Sequence, residues 1–352
     1  MRWERQHGHT VHLASGIDTV PSEVPEGVIL HVLPELRRAV KPFDDARAVR
    51  ALRHLIHAHG FDVVHTHESK AGVVGRLAAA GRATVVIHSV HMASFGNGYS
   101  APASAAFLAA ERLCARFTSY FVTVGNELRE YYLAHGVGRR DQYMTIHSPI
   151  DVRRYGKVRE IRRFERIALR ERFNLQPKPP VVVSVGRLEP RKRHDLVLER
   201  LAPLLRRGLV QFALAGQGPE FEALRQRCEH LGISRQVRLL GQIPNIDELL
   251  GCADLLIHAS RVEGVSQVIL QGLAAGVPIV ATPVHGLAEV MGARVAVVRS
   301  DGSDLADAVK HILATPPEPV ALKALDPWKP AEVDRRLQIL HRKISGPLST
   351  SS

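Results

Sequence analysis

At 352 residues the chain is long enough for two domains of ordinary size, and its 45% hydrophobic content marks a globular protein. Three widely spaced cysteines, Cys114, Cys228 and Cys252, form no C-x-x-C pair, which excludes a disulfide framework or zinc ribbon and suits a reducing cytoplasm. A net charge of +12 admits nucleic acid, an anionic membrane surface or phosphorylated substrates, but aromatics at 5% and no nucleic-acid motif argue against nucleic acid.

In chain order, MRWERQHGHT lacks the apolar core of a signal peptide. Arg76 and Arg82 interrupt the most apolar region, so no run approaches the roughly 18 to 20 residues of a membrane span. Short apolar runs predict strands buried on both faces: HTVHLAS, VILHVL, FDVVHTH, TVVIHSV and YFVTVG, then VVVSVG, QFALAG, VRLLG, DLLIHAS and PIVAT. Helical patterns lie between them, as in DDARAVRALRHLIHAHG, where Val49, Leu52, Leu55 and Ile56 share a face and Gly60 ends the helix. Two successions of alternating strand and helix predict two α/β units with parallel sheets.

The break falls near SPIDVRRYGKV, giving a first domain over 1–151 and a second over 152–352, with a helix at about 331–345 packing back and a frayed tail over 346–352. After the break come Arg153, Arg154, Lys157, Arg159, Arg162, Arg163, Arg166, Arg170 and Arg172. This run reads as a solvated helix face or as a patch for anionic lipid. The proline-rich LQPKPP then leads into the second unit.

In parallel α/β sheets, chemistry collects at the carboxyl ends of strands. VVVSVG ends in Gly186 and then Arg187 and Lys192, a tight turn followed by two cations suited to phosphate oxygens. QFALAG continues into Gln217-Gly218-Pro219, and VRLLG ends at Gly241, where the following QIPN would line a base pocket. DLLIHAS delivers Arg261, Val262 and Glu263 to the same rim. A helix beginning near Ser266, with Gly264 permitting close approach, presents free backbone N–H groups to a diphosphate. Gln271, about a turn inside that helix, leans back toward the same crevice. Separately, His65 and His67 in HTHE lie two apart on a strand and share a face, as metal ligands do, but no third ligand is evident in the sequence.

The ordered set FDVVHTHESKAGVVGRLAA, VIHSVHMASF, VVSVGRLEPRK, LAGQGPE, VRLLGQIPNIDELLGCADLLIHAS, EGVSQVILQGLAAGVPIVAT and PVHGLAEV resembles the retaining glycosyltransferases of family 4 over nearly the whole chain. That resemblance implies a GT-B fold: two Rossmann-like, doubly wound parallel-sheet domains facing a cleft. It also implies transfer of a sugar from a nucleotide-diphosphate donor, UDP- or GDP-linked, to a saccharide or lipid-linked acceptor, with no catalytic metal and no other cofactor. By the same resemblance Arg187 and Lys192 would neutralise the leaving diphosphate, and Glu263 would bind donor-sugar hydroxyls. Gly186, Gly241 and the backbone at Gly264, Val265 and Ser266 would line the donor, and His91 would reach the transferred sugar. No D-x-D occurs near the donor half, in keeping with metal independence.

Two departures stand out. Gln271 occupies the position of a ribose-binding glutamate, which removes a charge-assisted pair of hydrogen bonds. RWERQHGHTVHLASG resembles the end of the family's first helix and the strand after it, so the first strand and its glycine-rich loop are missing from the pattern. Two strand edges would then lie open. The expectation is an upstream segment outside these residues. The alternatives are a truncated, catalytically silent nucleotide-sugar-binding relative, or an epimerase or phosphorylase on the same architecture. Basic charge without a span suits peripheral attachment at the inner face of a plasma membrane during cell-envelope or exopolysaccharide synthesis.

Overall fold

The computed structural model describes residues 1–345 except 18, 38, 162 and 292–294; the tail expected over 346–352 lies outside the described residues. The chain divides into two units, one of residues 1–146 with 334–352, the other of residues 147–333. The sequence places the change at about residue 151. The structure places it after Ile146, and returns the chain to the first unit at Asp334.

In the first unit the strands are β1 (His12–Ser15), β2 (Ile29–Val32), β3 (Val63–His67), β4 (Val85–Val90), β5 (Tyr120–Thr123) and β6 (Tyr143–Thr145). All pair in parallel, but in two pieces: β1 with β2, and β3-β4-β5-β6 in that order. β1 and β3 therefore each keep one edge without a strand partner among the described residues. The two pieces are joined by apolar packing instead. Ala48, Leu52 and Ile56 of the helix Pro42–His59 and Val74 and Ala78 of the helix Ser69–Ala79 cluster with Ala14 of β1, Leu33 beyond β2 and Val64 of β3. Gly60, in the left-handed region at φ 59°, ends the first of these helices. The expectation of strands buried on both faces fails for β1 and β2. Neither holds a buried residue, and a two-stranded ribbon covered on one face leaves the other wet.

The carboxyl-terminal helix Pro330–Ser345 reaches this unit through His341, whose ring lies 4.6 Å from Trp3. A fully buried ion pair joins Arg76, in the helix Ser69–Ala79, to Glu111, in the helix Ala101–Ala115, at 2.8 Å. The other Glu111 oxygen accepts from Ser94 Oγ at 3.1 Å, and Ser94 Oγ meets the Tyr132 hydroxyl at 2.9 Å. This network fixes the segment that follows β4.

The second unit holds β7 (Val181–Val185), β8 (Gln211–Ala215), β9 (Val237–Gly241), β10 (Leu255–His258), β11 (Ile279–Ala281) and β12 (Val295–Val297). They form one parallel sheet in the order β12-β11-β10-β7-β8-β9. Its central strands β7, β8, β10 and β11 are buried almost throughout, as continuous apolar runs in a doubly wound sheet require.

The basic run after residue 151 is corrected here, because it is not simply a solvated face. Arg159 donates to the carbonyls of Leu273 and Ala274 at 2.7 and 2.8 Å, at the carboxyl end of the helix Gln267–Ala275. Arg170, 7% exposed, donates to Cys252 O at 3.1 Å and to Asp254 Oδ2 at 2.5 Å, and Arg166 donates to Ala253 O. These carbonyls close the helix Ile246–Cys252. Helix carboxyl ends carry unsatisfied carbonyls and partial negative charge, so guanidinium groups stabilise them.

Glu111→Leu should destabilise the first unit by about 3 to 5 kcal/mol, because Arg76 is left charged and unpaired in the core. Urea denaturation checks this, and the double variant Arg76→Met/Glu111→Leu should recover most of the loss.

Candidate functional site

The strand order of the second unit reverses between β7 and β10, so the loops after these two strands splay to opposite sides and leave a crevice at their carboxyl ends. The loop after β7 runs through Gly186 into a 3-10 turn, Pro190–Lys192, and then into the helix His194–Arg206. The loop after β10 runs from Ala259 to Ser266, the residue just before the helix Gln267–Ala275. The two loops are joined directly, since Arg261 N–H donates to Arg191 O at 2.8 Å and the Lys192 ammonium donates to Glu263 Oε1.

Glu263 lies deep in this crevice, with Nε2 of the buried His258 3.7 Å from its Oε1. Burial alone would raise the Glu263 carboxyl, but attraction to His258 when that ring is protonated, and to Lys192, together with hydrogen bonds from Lys192 and Ser260, outweighs it and holds the group below the usual range. Burial pushes His258 down to about 4, so at neutral pH it is uncharged and Lys192 is the cation that balances Glu263. His194, 2% exposed at the start of its helix, is likewise pushed to about 4 by burial and then by the Lys192 charge. The Nε2 atoms of both histidines have no hydrogen-bond partner among the described residues.

Neighbouring loops make the floor. Leu188 N–H donates to Gln217 O at 2.8 Å, and Gly216 N–H donates to Gly241 O at 2.8 Å. A side chain at position 216 would collide with Gly186 O, 1.8 Å from the would-be Cβ, so glycine is required there. Gly264, Val265 and Ser266 are buried beside Glu263. The helix starts at Gln267, one residue after the expected position, and Gln271 is half-buried at its second turn. Arg187, by contrast, is 60% exposed and leans toward Glu189, with Nε 3.5 Å from Oε1.

The structure thus brings Lys192, Glu263, Gly264, Val265 and Ser266 together and places Gly186, Gly241, Arg187 and Gln271 on adjoining loops and the adjoining helix. His91 belongs to the first unit, where it is exposed just beyond β4. Its Nε2 is 3.1 Å from His67 Nδ1, and the His67 and His65 rings stack at 4.3 Å. His65 Nε2 is engaged by Ser89 Oγ at 2.8 Å. Burial, followed by repulsion from His91, takes His67 down to about 4. Sequence reasoning missed His258, which sits inside the quoted DLLIHAS, His194, which lies two residues beyond VVSVGRLEPRK, and the Arg76–Glu111–Ser94 network behind the His91 segment.

Comparison with known proteins follows the same division. Residues 165–324 match the family described as glycosyl transferases group 1, and residues 1–149 match the glycosyl transferase 4-like domain. The chain belongs to the group 1 glycosyl transferases.

Among its relatives is a UDP-Gal:alpha-D-GlcNAc-diphosphoundecaprenol alpha-1,3-galactosyltransferase of Escherichia coli, 24% identical over 72% of this chain and 66% of that protein. Another is D-inositol 3-phosphate glycosyltransferase 1 of Catenulispora acidiphila, 27% identical over 93% of this chain and 79% of the other. HepE of Anabaena, solved in complex with UDP and glucose, shares the fold at a TM-score of 0.71 and 20% identity, covering 91% of this chain and 87% of its own. This group 1 glycosyl transferase is α/β with parallel sheets in both units, as the sequence implies, and its solved neighbours show the GT-B fold. No helix among the described residues is long and apolar enough to cross a membrane.

His194 and His258 contribute to a pH dependence, beside His65, His67 and His88 of the first unit, which burial also holds below the ordinary range. The folded values of His194 and His258 lie near 4 against an ordinary 6.5, so the unfolded chain binds protons first as pH falls. Stability is full above pH 6.5 and falls between 6.5 and 4, by about 1.4 kcal/mol per pH unit for each histidine. Urea midpoints at pH 7 and pH 5 should show this loss, and His258→Asn should reduce it by about 2 kcal/mol.

Proposed function

We propose that the chain transfers a sugar from a nucleoside-diphosphate sugar to a saccharide or lipid-linked acceptor, with retention at the anomeric carbon and without a catalytic metal. The observation that carries this reading is the pairing of Lys192 with Glu263 at the crevice between β7 and β10, beside the amino terminus of the helix Gln267–Ala275. A diphosphate entering there meets backbone N–H groups and the Lys192 ammonium, both suited to an anion. Lys192 then shifts from carboxylate to phosphate, and Glu263 is released to accept hydrogen bonds from sugar hydroxyls.

Charge develops on the diphosphate as the glycosidic bond breaks. Lys192, with Arg187 swung from Glu189, opposes that charge and is worth several kcal/mol in the transition state. Val265 and Ser266 hold the sugar and phosphate, Gly186 and Gly241 leave room for the nucleotide, and Gln271 makes a neutral contact to the ribose. His91 contacts the transferred sugar.

UDP is the favoured nucleotide and a lipid diphosphate the favoured acceptor class. HepE holds UDP and glucose, and the name of the Escherichia coli relative gives a UDP-linked donor and a diphosphoundecaprenol acceptor. Such an acceptor places the enzyme on the inner face of a membrane in envelope or exopolysaccharide synthesis. Fewer arginines are left for lipid than composition implies, since Arg159, Arg166 and Arg170 are engaged within the second unit. A second reading, donor binding without turnover, draws on the interrupted sheet of the first unit and on Gln271.

A panel of UDP-, GDP- and ADP-sugars with saccharide and lipid-linked acceptors tests the proposal. Turnover of one donor, an unchanged anomeric coupling in the product, and a kcat fall of about 10²- to 10³-fold in Lys192→Ala are expected. Donor binding without transfer to any acceptor would favour the second reading.

A further inference from the structure

We propose that His12, His31 and His59 form a binding site for one divalent transition-metal ion of the zinc and nickel class, pinning the β1–β2 ribbon to the helix Pro42–His59. The site belongs wholly to the first unit, whereas the donor loops belong to the second.

Local structure brings the three together. In the parallel register His12 faces Ile29 and Ala14 faces His31, so His12 and His31 lie two rungs apart on one face of the ribbon. His59 is the last residue of the helix that packs over that ribbon, one residue before the turn at Gly60. His12 Nδ1 and His31 Nε2 are 2.8 Å apart, and the His59 ring is centred 4.8 Å from that of His12 and 5.5 Å from that of His31. One ring nitrogen from each residue lies within 4.8 Å of the others.

A tetrahedral ion bound at about 2.0 to 2.1 Å needs its nitrogens roughly 3.4 Å apart. The His12–His31 pair opens slightly and His59 turns inward, a rotation its exposure permits. Phe61 packs against the His12 ring at 4.9 Å and stacks on the His59 ring at 5.4 Å, so one aromatic ring backs two of the three ligands.

The chemistry of the donor set agrees. Three imidazoles without thiolate or carboxylate suit zinc, nickel or copper rather than magnesium or calcium. His31 and His59 also border a groove of about 500 Å³, which gives an ion a path from solvent and leaves a fourth position for water. Such an ion would add to the apolar packing that holds the ribbon, since β1 and β2 hydrogen-bond as strands only to each other among the described residues.

The test uses the full chain without a histidine tag. Titration with zinc chloride should show one ion bound per chain and a rise in melting temperature, since an ion that binds only the folded state stabilises it. Cobalt(II) should give the visible absorption of a four-coordinate site. His59→Ala removes an exposed ligand at a helix end, so the apo protein should keep its melting temperature while metal affinity falls by about tenfold or more. His67→Ala should leave binding unchanged. No zinc binding, or binding and stabilisation that persist in His59→Ala, would overturn the proposal.

Discussion

The site of the second unit depends on one constraint, the order of a parallel sheet. Because β7 is flanked by β8 on one side and β10 on the other, the connections leaving β7 and β10 diverge and leave a crevice that neither loop fills. Lys192 and Glu263, 71 residues apart in sequence, meet there. Burial makes the meeting consequential, because in a dry crevice each charge needs the other until a ligand replaces one partner. The neutral histidines behind them add polar surface without competing charge.

The first unit meets a different constraint. Its parallel strands are divided between two hydrogen-bonded pieces, and helices rather than a ladder hold those pieces together. Packing tolerates such a division because the apolar cluster under the helices Pro42–His59 and Ser69–Ala79 takes residues from both. It does not replace the ladder, which is why the ribbon of β1 and β2 stays half wet. The buried Arg76–Glu111 pair on the opposite flank gives the segment after β4 a fixed course, and His91 starts that segment.

Much of the architecture was legible because buried parallel strands are continuous apolar runs. All ten runs read as strands are strands, and Gly60 ends its helix in the left-handed conformation only glycine adopts freely. β6 and β12 escaped because they are short strands at the ends of their sheets and only partly buried, unlike β11, which is as short but lies inside its sheet and is buried throughout. The arginines after residue 151 were misread because polarity in sequence does not reveal a helix carboxyl end waiting in space. Arg76 and Glu111 escaped for the same reason, being partners 35 positions apart. His194 and His258 gave no signal among 19 histidines, since what sets them apart is their burial beside Lys192 and Glu263, which the sequence does not show. Lys192 and Glu263 were named from motif order and resemblance, and the structure adds their direct pairing.

The central claim is that the donor diphosphate is held at the carboxyl ends of β7 and β10. A crystal structure of the chain with UDP tests it most directly. The expected result is a diphosphate against the amino terminus of the helix Gln267–Ala275, with Lys192 drawn from Glu263 onto a phosphate oxygen. A nucleotide bound elsewhere, with the Lys192–Glu263 pair intact, would contradict it.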